Sequence, residues 1–215
     1  MSERIEEQKR YYAARAGEYD DWWWRRGRYA LEPEAEDRWF ADAREVEGAL
    51  AEHAPFGNVL ELAAGTGIWT RKLVELADRV VAVDANAETL ALNTGQAELV
   101  QADVFAWRPK EPFDLCFFSF WLSHVPEERF DEFWALVRDA GRRVFLIDNA
   151  AGGERTHTTE NSNGEETRML ADGRAFRIVK RRWAADELTA RVRPLGFELD
   201  LRTSTHGHFL YGGGR

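Results

Sequence analysis

The chain has 215 residues, of which 44% are hydrophobic and 31% are charged. This length and composition suit one globular domain and argue against a disordered chain. The formal net charge of -9 disfavours a high-affinity nucleic-acid surface, because phosphate binding depends on lysine and arginine. We therefore expect no nucleic-acid partner.

The single cysteine, Cys116, excludes an internal disulfide and a cysteine-based zinc site. No apolar run approaches the roughly 18 residues that cross a bilayer, and the first ten residues carry too many charges for a secretory signal. We expect no membrane partner and a cytoplasmic location, as either a monomer or a homodimer. Short basic clusters at 25–28, 142–143 and 180–182 are expected to form solvent-exposed faces.

The N-terminal third is expected to be helical. Residues 3–16 have helical composition, and Gly17 ends the segment. Residues 19–29 are aromatic and basic without a clear period. A second helix is expected from Pro33 to about His53, because proline suits the first turn of a helix.

From residue 59 onward, short apolar runs alternate with helical segments. The predicted strands are 59–62, 80–83, 99–100, 113–120 and 144–147, and the predicted helices between them are 69–77, 88–93 and 126–137. Near-continuous apolar strands that alternate with helices indicate a parallel sheet covered on both faces.

The C-terminal third begins with an aperiodic stretch. Residues 150–173 predict a long surface excursion, and 174–180 an extra strand beside it. After a helix over 186–193, strands at 197–201 and 208–211 are expected to pair antiparallel. The sequence thus predicts one α/β domain over 1–215, with a doubly wound, mostly parallel seven-stranded sheet.

The sharpest motif is Glu61-Leu62-Ala63-Ala64-Gly65-Thr66-Gly67, between a predicted strand and a predicted helix. Its glycines let the backbone turn sharply and approach a ligand closely. Asp84 ends the next strand, where a carboxylate can accept both hydroxyls of a ribose. This order of elements predicts a nucleotide-type ligand at the carboxyl ends of the strands.

Two common nucleotide sites do not fit this motif. Thr70 stands where the dinucleotide fingerprint has its third glycine, and no Lys-Ser/Thr pair follows the loop as in a P-loop. Glu61 suits a ligand with an ammonium or sulfonium group better than a pyrophosphate.

The combination resembles the class I S-adenosylmethionine-dependent methyltransferases, closely over residues 10–150 and loosely at the C-terminal strands. The resemblance implies that the glycine segment holds the methionine part of the cofactor, Asp84 and Ala85 the ribose, and Asp103 and Val104 the adenine. The implied cofactor-binding residues are Tyr11, Arg15, Glu61, Ala63, Gly65, Thr66, Gly67, Asp84, Ala85, Asp103, Val104, Ser119 and Phe120.

The N-terminal segment is similar to lid segments of small-molecule members of that family. There a tyrosine and an arginine close over the cofactor, which implies these roles for Tyr11 and Arg15. An amphipathic helix that packs its aromatic residues on the domain explains each of them equally well. The implied division is a helical lid over 1–54, a cofactor-binding core over 55–150, and a substrate-side excursion with C-terminal strands over 151–215.

Methyl transfer from a sulfonium is an in-line displacement, so positioning should supply most of the rate. His124, just past the fourth strand, is the candidate catalytic base for an acceptor that carries a proton. A histidine at this point can equally cap or pack the next helix. The pair Asp148-Asn149 resembles two magnesium ligands of catechol-type methyltransferases. The third carboxylate is missing, so we expect no metal.

The nine tryptophans suggest aromatic walls for the acceptor. We expect Trp22, Trp121, Trp183 and Tyr211 to bind it, because aromatic faces suit a planar or apolar molecule. The fourth strand lacks the Asn-Pro-Pro-Tyr type of motif found in amino-methylating nucleic-acid enzymes, which favours a small-molecule acceptor. A non-catalytic S-adenosylmethionine-binding regulator and, less well supported, a nicotinamide-dependent oxidoreductase are the alternatives.

Overall fold

The structure is a computed structural model that describes residues 3–152, 158–161 and 164–215. Its helices are α1 (Glu3–Arg15), α2 (Tyr19–Trp23), α3 (Pro33–Ala51), α4 (Thr70–Leu76), α5 (Ala87–Leu90), α6 (Phe130–Ala140) and α7 (Ala185–Val192). Its strands are β1 (Phe56–Leu62), β2 (Ala77–Asp84), β3 (Glu98–Gln101), β4 (Leu115–Ser119), β5 (Val144–Asn149), β6 (Thr158–Asn161), β7 (Glu165–Met169), β8 (Ala175–Val179), β9 (Leu199–Thr203) and β10 (Phe209–Gly214).

Seven strands form the main sheet in the order β3-β2-β1-β4-β5-β10-β9. The first five are parallel, whereas β10 is antiparallel to both of its neighbours. The predicted doubly wound sheet with an antiparallel C-terminal pair is therefore confirmed. The chain winds outward from β1 to β3 and then restarts at β4, so β1 and β4 flank the switch point where such sheets bind ligands.

Helices cover both faces of this sheet because successive strand residues point to opposite sides. Leu60 and Phe118 pack beneath α6 and α7, in a core that includes Trp134. Val59 and Phe117 face α3 and α4 on the other side. Each face is thus closed by one helical layer, and the carboxyl edge of the strands stays available.

The excursion after β5 carries a second, antiparallel sheet of β6, β7 and β8. The extra strand predicted at 174–180 is confirmed, and the predicted excursion over 150–173 also contains two strands, at 158–161 and 165–169, that the sequence did not predict. These strands are rich in charged and polar residues, so no apolar alternation shows them in the sequence. Helix α1 rests on this small sheet, with the Tyr11 ring 5.7 Å from that of Phe176.

The helix predicted at 88–93 is only four residues long, since Asn93 turns back toward the glycine loop. None of the helices found in the described parts of the chain combines the length and the apolar character needed to span a membrane.

Candidate functional site

A cavity opens at the carboxyl ends of β1, β2 and β4, beneath α1. It lies at the switch point of the sheet. The predicted site residues that line it are Ala63, Gly65, Asp84, Ala85, Asp103, Val104, Ser119, Phe120, Trp121 and His124. These come from four separate segments, and the fold brings them together.

Two non-glycine residues in the cavity wall have a left-handed backbone. Ala63 follows β1 with φ 55°, and Phe120 follows β4 with φ 51°. Each such conformation costs an L-residue about 1–2 kcal/mol, and such strain concentrates at ligand sites. The ends of these two neighbouring strands therefore adopt a strained, left-handed backbone conformation where they form the cavity wall.

Asp84 holds the glycine loop in place at the wall of the cavity. Its Oδ2 accepts a hydrogen bond from the backbone of Gly65 at 2.9 Å, and its Oδ1 accepts one from Asn86 at 2.8 Å. Burial raises the pKa of Asp84 above its ordinary value, although these two amides oppose the rise. A partly dehydrated carboxylate with remaining lone pairs can accept hydroxyl donors from a ligand.

Asp103 lies at the opposite end of the cavity, under α1. Its Oδ1 accepts a hydrogen bond from the Phe105 amide at 2.8 Å, and its Oδ2 lies 2.9 Å from Nζ of Lys9. Although burial opposes it, the Lys9 ammonium lowers the pKa of Asp103, so this group is ionised. Lys9 also lines the cavity.

Glu61 lies behind the glycine loop rather than in the cavity lining. Its Oε2 accepts a hydrogen bond from Thr70 Oγ1 at 2.5 Å, and Thr70 accepts one from Asn93 at 2.8 Å. Burial raises the pKa of Glu61 to about 8. In the structure this residue braces the turn from the inside.

The two glycines of the motif have different surroundings. A Cβ on Gly65 would meet nothing within 4 Å, and this residue lines the cavity. A Cβ on Gly67 would lie 2.2 Å from the side chain of Asn93. Gly65 thus allows a ligand to approach the backbone, whereas Gly67 makes room for Asn93. Thr66, between them, donates a hydrogen bond to Asp20 of α2.

One face of α1 forms the roof of the site. Ile5, Gln8 and Tyr12 line the first cavity, and Arg15 continues the same face at helical spacing. Tyr11 lies outside both cavities, packed against Leu170 and Ile178 of the excursion. The tyrosine over the site is therefore Tyr12.

A second cavity adjoins the first and shares part of its wall. The shared residues are Tyr12, Tyr19, Phe120 and His124, and the second cavity adds Arg15, Trp22, Asn149, Arg168, Lys180 and Arg182. Its lining is basic where that of the first is mainly apolar. The two cavities thus offer different chemistry on the two sides of a common aromatic wall.

The cations of this second cavity, which we call the basic cluster, are Arg15, Arg168, Lys180 and Arg182. Among the residues that the structure describes, the carboxylates opposite them are those of Asp148 and Glu166: Glu166 pairs with both Arg168 and Arg182, and Asp148 lies 3.5 Å from Lys180. Within the described residues no carboxylate lies at ion-pair distance from Arg15, and the buried Nε atoms of Arg15 and Arg182 have no hydrogen-bond partner. Counted over the described side chains, the cluster therefore carries two positive charges in excess.

Lys180 contradicts the expectation of a solvent-exposed basic face at 180–182. Its side chain is 3% exposed and donates to Ser123 Oγ at 2.7 Å and Asn149 Oδ1 at 2.8 Å. Burial lowers the pKa of Lys180 to about 8. Asp148 and Asn149 thus face an ammonium group. The described residues contain no group of three His, Cys, Asp or Glu side chains that would hold a metal ion.

His124 lies between the two cavities and is buried. Its Nε2 lies 2.6 Å from the hydroxyl of Tyr12, and its Nδ1 lies 2.6 Å from the backbone oxygen of Val179. Burial lowers the pKa of His124 well below its ordinary value, and the Lys180 ammonium lowers it further. Both ring nitrogens are therefore engaged by the protein.

The predicted aromatic walls are only partly present. Trp121 lines the first cavity and Trp22 the second, where the Trp22 ring lies 4.8 Å from that of Phe120. Trp183 lies in the core beside Phe130, and Tyr211 donates a hydrogen bond to Glu45. Neither residue lines either of these two cavities, because Trp183 is brought to the interior and Tyr211 to the far face of the sheet.

The residues missed from the sequence are Tyr12, Gln8, Lys9, Arg168, Lys180 and Arg182. For Gln8 and Tyr12 the signal is the spacing 5-8-12-15, which marks one face of helix α1. For Lys180 and Arg182 the signal is alternation along an extended chain, in which these two side chains point inward and that of Arg181 points outward.

A family model described as a methyltransferase domain matches residues 59–142. The solved structure of a complex of DhpI with SAM and HEP is 37% identical, with a TM-score of 0.82, covering 100% of this chain and 99% of that one. A complex of DhpI with SAH is also 37% identical, with a TM-score of 0.79 and coverage of 99% and 96%.

A more distant structure shows the same fold. The 1,6-didemethyltoxoflavin-N1-methyltransferase of Burkholderia thailandensis is 19% identical, with a TM-score of 0.60, covering 100% of this chain and 91% of that one. No curated protein matches the chain significantly.

Proposed function

This chain belongs to the S-adenosylmethionine-dependent methyltransferases, and on that premise we propose that it methylates an oxygen of a small anionic acceptor without a metal ion. The observation that carries the proposal is the excess positive charge of the basic cluster beside the first cavity. Family membership disfavours a nicotinamide-dependent oxidoreductase, and no feature of the site favours a purely regulatory protein.

The first cavity fits S-adenosylmethionine, the cofactor of the family. Gly65 leaves open space where a Cβ would block a ligand, and Asp84 offers carboxylate oxygens for a ribose diol. Asp103 and Val104 line the same cavity, and we assign to them the acceptor and the donor for an adenine edge. When bound, S-adenosylmethionine supplies an electrophilic methyl group on a sulfonium.

The basic cluster fits an oxyanion such as a phosphonate, a phosphate ester or a carboxylate. A guanidinium offers paired donors that match such oxygens, and an ammonium adds a point charge. Burying unpaired cations is costly, so an anionic ligand stabilises the cluster. Arg15 and Lys180 are the cations of the cluster with the weakest pairing to carboxylates. The resemblance implied that Arg15 binds the cofactor, but Arg15 lines the second cavity rather than the first, and we propose that Arg15 and Lys180 contact the acceptor.

The remaining residues of the wall position the acceptor and exclude water. Tyr12, Tyr19, Trp22 and Phe120 surround the junction of the cavities with aromatic surface. An anionic oxygen already has a free electron pair, so it needs no base. Most of the rate then comes from alignment in a closed, dry site.

The Lys180 ammonium takes the electrostatic role that a metal would have beside Asp148 and Asn149. It lies 2.8 Å from Asn149 Oδ1 and 3.5 Å from Asp148 Oδ1. A cation held there orients an oxyanion without a metal. The relative DhpI was solved with SAM together with a second small ligand, HEP, which supports a second ligand site beside the cofactor.

A screen for S-adenosylhomocysteine release tests the proposal. Small phosphonates, phosphate monoesters and carboxylates are compared with neutral amides and alcohols of the same size. We expect turnover with at least one anionic class and little with its neutral counterpart. Turnover confined to amines, thiols or neutral phenols would overturn the choice of acceptor while leaving the family unchanged.

A further inference from the structure

His124 is held at both ring nitrogens by groups that fix its protonation. The backbone oxygen of Val179 can only accept a hydrogen bond, so Nδ1, at 2.6 Å, carries a proton. Burial lowers the pKa of His124 and raises that of Tyr12, each well beyond its ordinary value. The ring is therefore neutral, and the Tyr12 hydroxyl donates to Nε2 across 2.6 Å.

This arrangement leaves His124 without a free lone pair. A neutral imidazole has one acceptor nitrogen, and that nitrogen receives the Tyr12 proton. The charged groups near the ring are Arg15 of α1, Arg168 of β7 and Lys180 after β8, all cations that oppose an imidazolium. Within the described residues, no carboxylate lies at ion-pair distance from the ring to offset them.

The same contacts join three parts of the chain. Tyr12 belongs to α1, His124 follows β4, and Val179 ends β8. A second bridge runs parallel to the first: the Gln8 amide donates to the His124 backbone oxygen at 3.2 Å and accepts from the Val179 amide at 3.1 Å. Gln8 and Tyr12 are one helical turn apart, so one face of α1 makes both bridges.

These bridges connect the two cations that we assign to the acceptor. Arg15 lies three residues beyond Tyr12 on the same face of α1, and Lys180 directly follows Val179. The imidazole spans the distance between the two segments that carry these residues. Loss of a hydrogen bond in this connection therefore changes the distance between the two cations.

We infer that His124 is a positioning residue, a neutral connector that sets Arg15 and Lys180 at the correct separation, and that this enzyme uses no histidine base. The inference rests on the proposed function for the role of the two cations. The protonation state that it requires can be measured without any acceptor.

Nitrogen-15 NMR of the full-length protein with bound S-adenosylhomocysteine tests that state. We expect His124 to remain neutral, with the proton on Nδ1, from about pH 5.5 to about pH 8.5. Titration of His124 within this range, or a proton on Nε2 of the neutral ring, would overturn the inference whatever the acceptor proves to be.

Substitutions separate positioning from base catalysis. His124→Asn keeps a donor near Val179 but has no basic nitrogen, and we expect the acceptor KM to rise about tenfold with an unchanged pH profile and a kcat within about threefold. Loss of kcat by about a hundredfold or more, together with loss of the acid limb of the profile, would identify a base instead.

Tyr12→Phe keeps the test informative should the histidine variant not fold. The change frees Nε2 of His124. If His124 acts as a base, kcat should stay the same or rise. If it acts as a connector, acceptor affinity should fall about as much as in His124→Asn. Tyr11→Phe is the matched control, because that ring lies outside both cavities, and we expect wild-type KM and kcat. An unchanged acceptor KM in Tyr12→Phe counts against the connector.

Discussion

The ammonium of Lys9 lies 2.9 Å from Oδ2 of Asp103, which joins helix α1 to the loop that follows β3. The two residues are 94 positions apart in the chain. Their ion pair closes the end of the cavity that we assign to the adenine. The roof of the site is thus attached to a residue that the ligand is expected to contact.

Lys9→Met should weaken cofactor binding modestly. The two side chains are 28% and 22% exposed, so the pair contributes up to about 1 kcal/mol, which corresponds to a rise of about two- to fivefold in the Kd for S-adenosylhomocysteine. Calorimetry at low and high salt measures it, and the difference from wild type should shrink at high salt. Lys72→Met, which breaks a similar pair with Glu47 on the outer surface, is the control. Tighter binding in Lys9→Met would mean that the lysine competes with the ligand for Asp103.

Asp84→Ala should weaken cofactor binding much more. The change removes a buried acceptor of ligand hydroxyls and frees the amides of Gly65 and Asn86, which shape the loop. We expect the Kd for S-adenosylhomocysteine to rise at least about tenfold. Calorimetry, with a thermal melt to verify folding, measures this. Asp78→Ala, at the exposed start of β2, should bind normally; an equal effect in both variants would remove Asp84 from the site.

Much of the first cavity is predictable from sequence because its residues follow strand ends. Gly65, Asp84 and Asp103 each come shortly after the end of an apolar run, and a parallel sheet brings such positions to one edge. The choice between Tyr11 and Tyr12 is different. Neighbouring residues on a helix point about 100° apart, so the choice depends on how α1 rests on β8, which is a tertiary contact.

The basic cluster could not be predicted from the sequence, for a different reason. Charged residues are seldom buried, so Lys180-Arg181-Arg182 looks like a solvent-exposed face. Burial of Lys180 becomes evident only when Asn149 and Ser123 are seen beside it. Trp183 shows the converse, because an aromatic residue near the site in sequence packs into the core.

Lys180→Met should impair acceptor binding, whereas Arg181→Met should not. Lys180 is buried in the basic cluster, while Arg181 pairs with Glu127 and Glu187 at the surface. Loss of a charged hydrogen bond costs about 1.5–3 kcal/mol, so the acceptor KM should rise about 10- to 100-fold. Steady-state kinetics with the best anionic acceptor from the screen measures this. Equal effects of the two changes would indicate a general electrostatic field rather than a contact.

The pH dependence of that KM should follow the ammonium of Lys180. Because burial lowers the pKa of Lys180 to about 8, the free enzyme loses this charge as the pH rises through that value. Anion binding should therefore weaken above about pH 8 in the wild type. Lys180→Arg, with a guanidinium that stays charged, should remove this weakening. A wild-type KM that stays flat up to about pH 9.5 would place the anion elsewhere.

Glu61→Gln should stabilise the ligand-free protein at alkaline pH. Burial raises the pKa of Glu61 from 4.5 to about 8, so between these values the unfolded chain is ionised while the folded chain stays protonated. The folded state binds more protons, and stability falls as the pH rises through this window. The cost reaches a few kcal/mol above about pH 8. Urea denaturation at about pH 5 and pH 9 should show that the stability of Glu61→Gln relative to wild type increases with pH. Glu75→Gln, a change at an exposed position, should show no such increase.

The two motif glycines should differ in how alanine affects stability and cofactor affinity. At Gly65 an added Cβ meets open space, so Gly65→Ala should cost about 1–2 kcal/mol through its φ of 56° and should block ligand approach. At Gly67 the Cβ meets Asn93 at 2.2 Å with φ 82°, so Gly67→Ala should lower stability more and cofactor affinity less. Calorimetry and urea denaturation separate the two effects.

The contact between Gly67 and Asn93 provides an internal check on this contrast. Asn93→Gly removes the atoms that clash with the new Cβ, so its addition to Gly67→Ala should recover the steric part of the loss but not the cost of the left-handed backbone. In a double-mutant cycle the combined destabilisation should therefore be smaller than the sum of the single effects. Strict additivity would mean that Gly67 is required for its φ alone. Gly65→Ala combined with Asn93→Gly should be additive, because Asn93 does not lie within 4 Å of the Cβ position at residue 65.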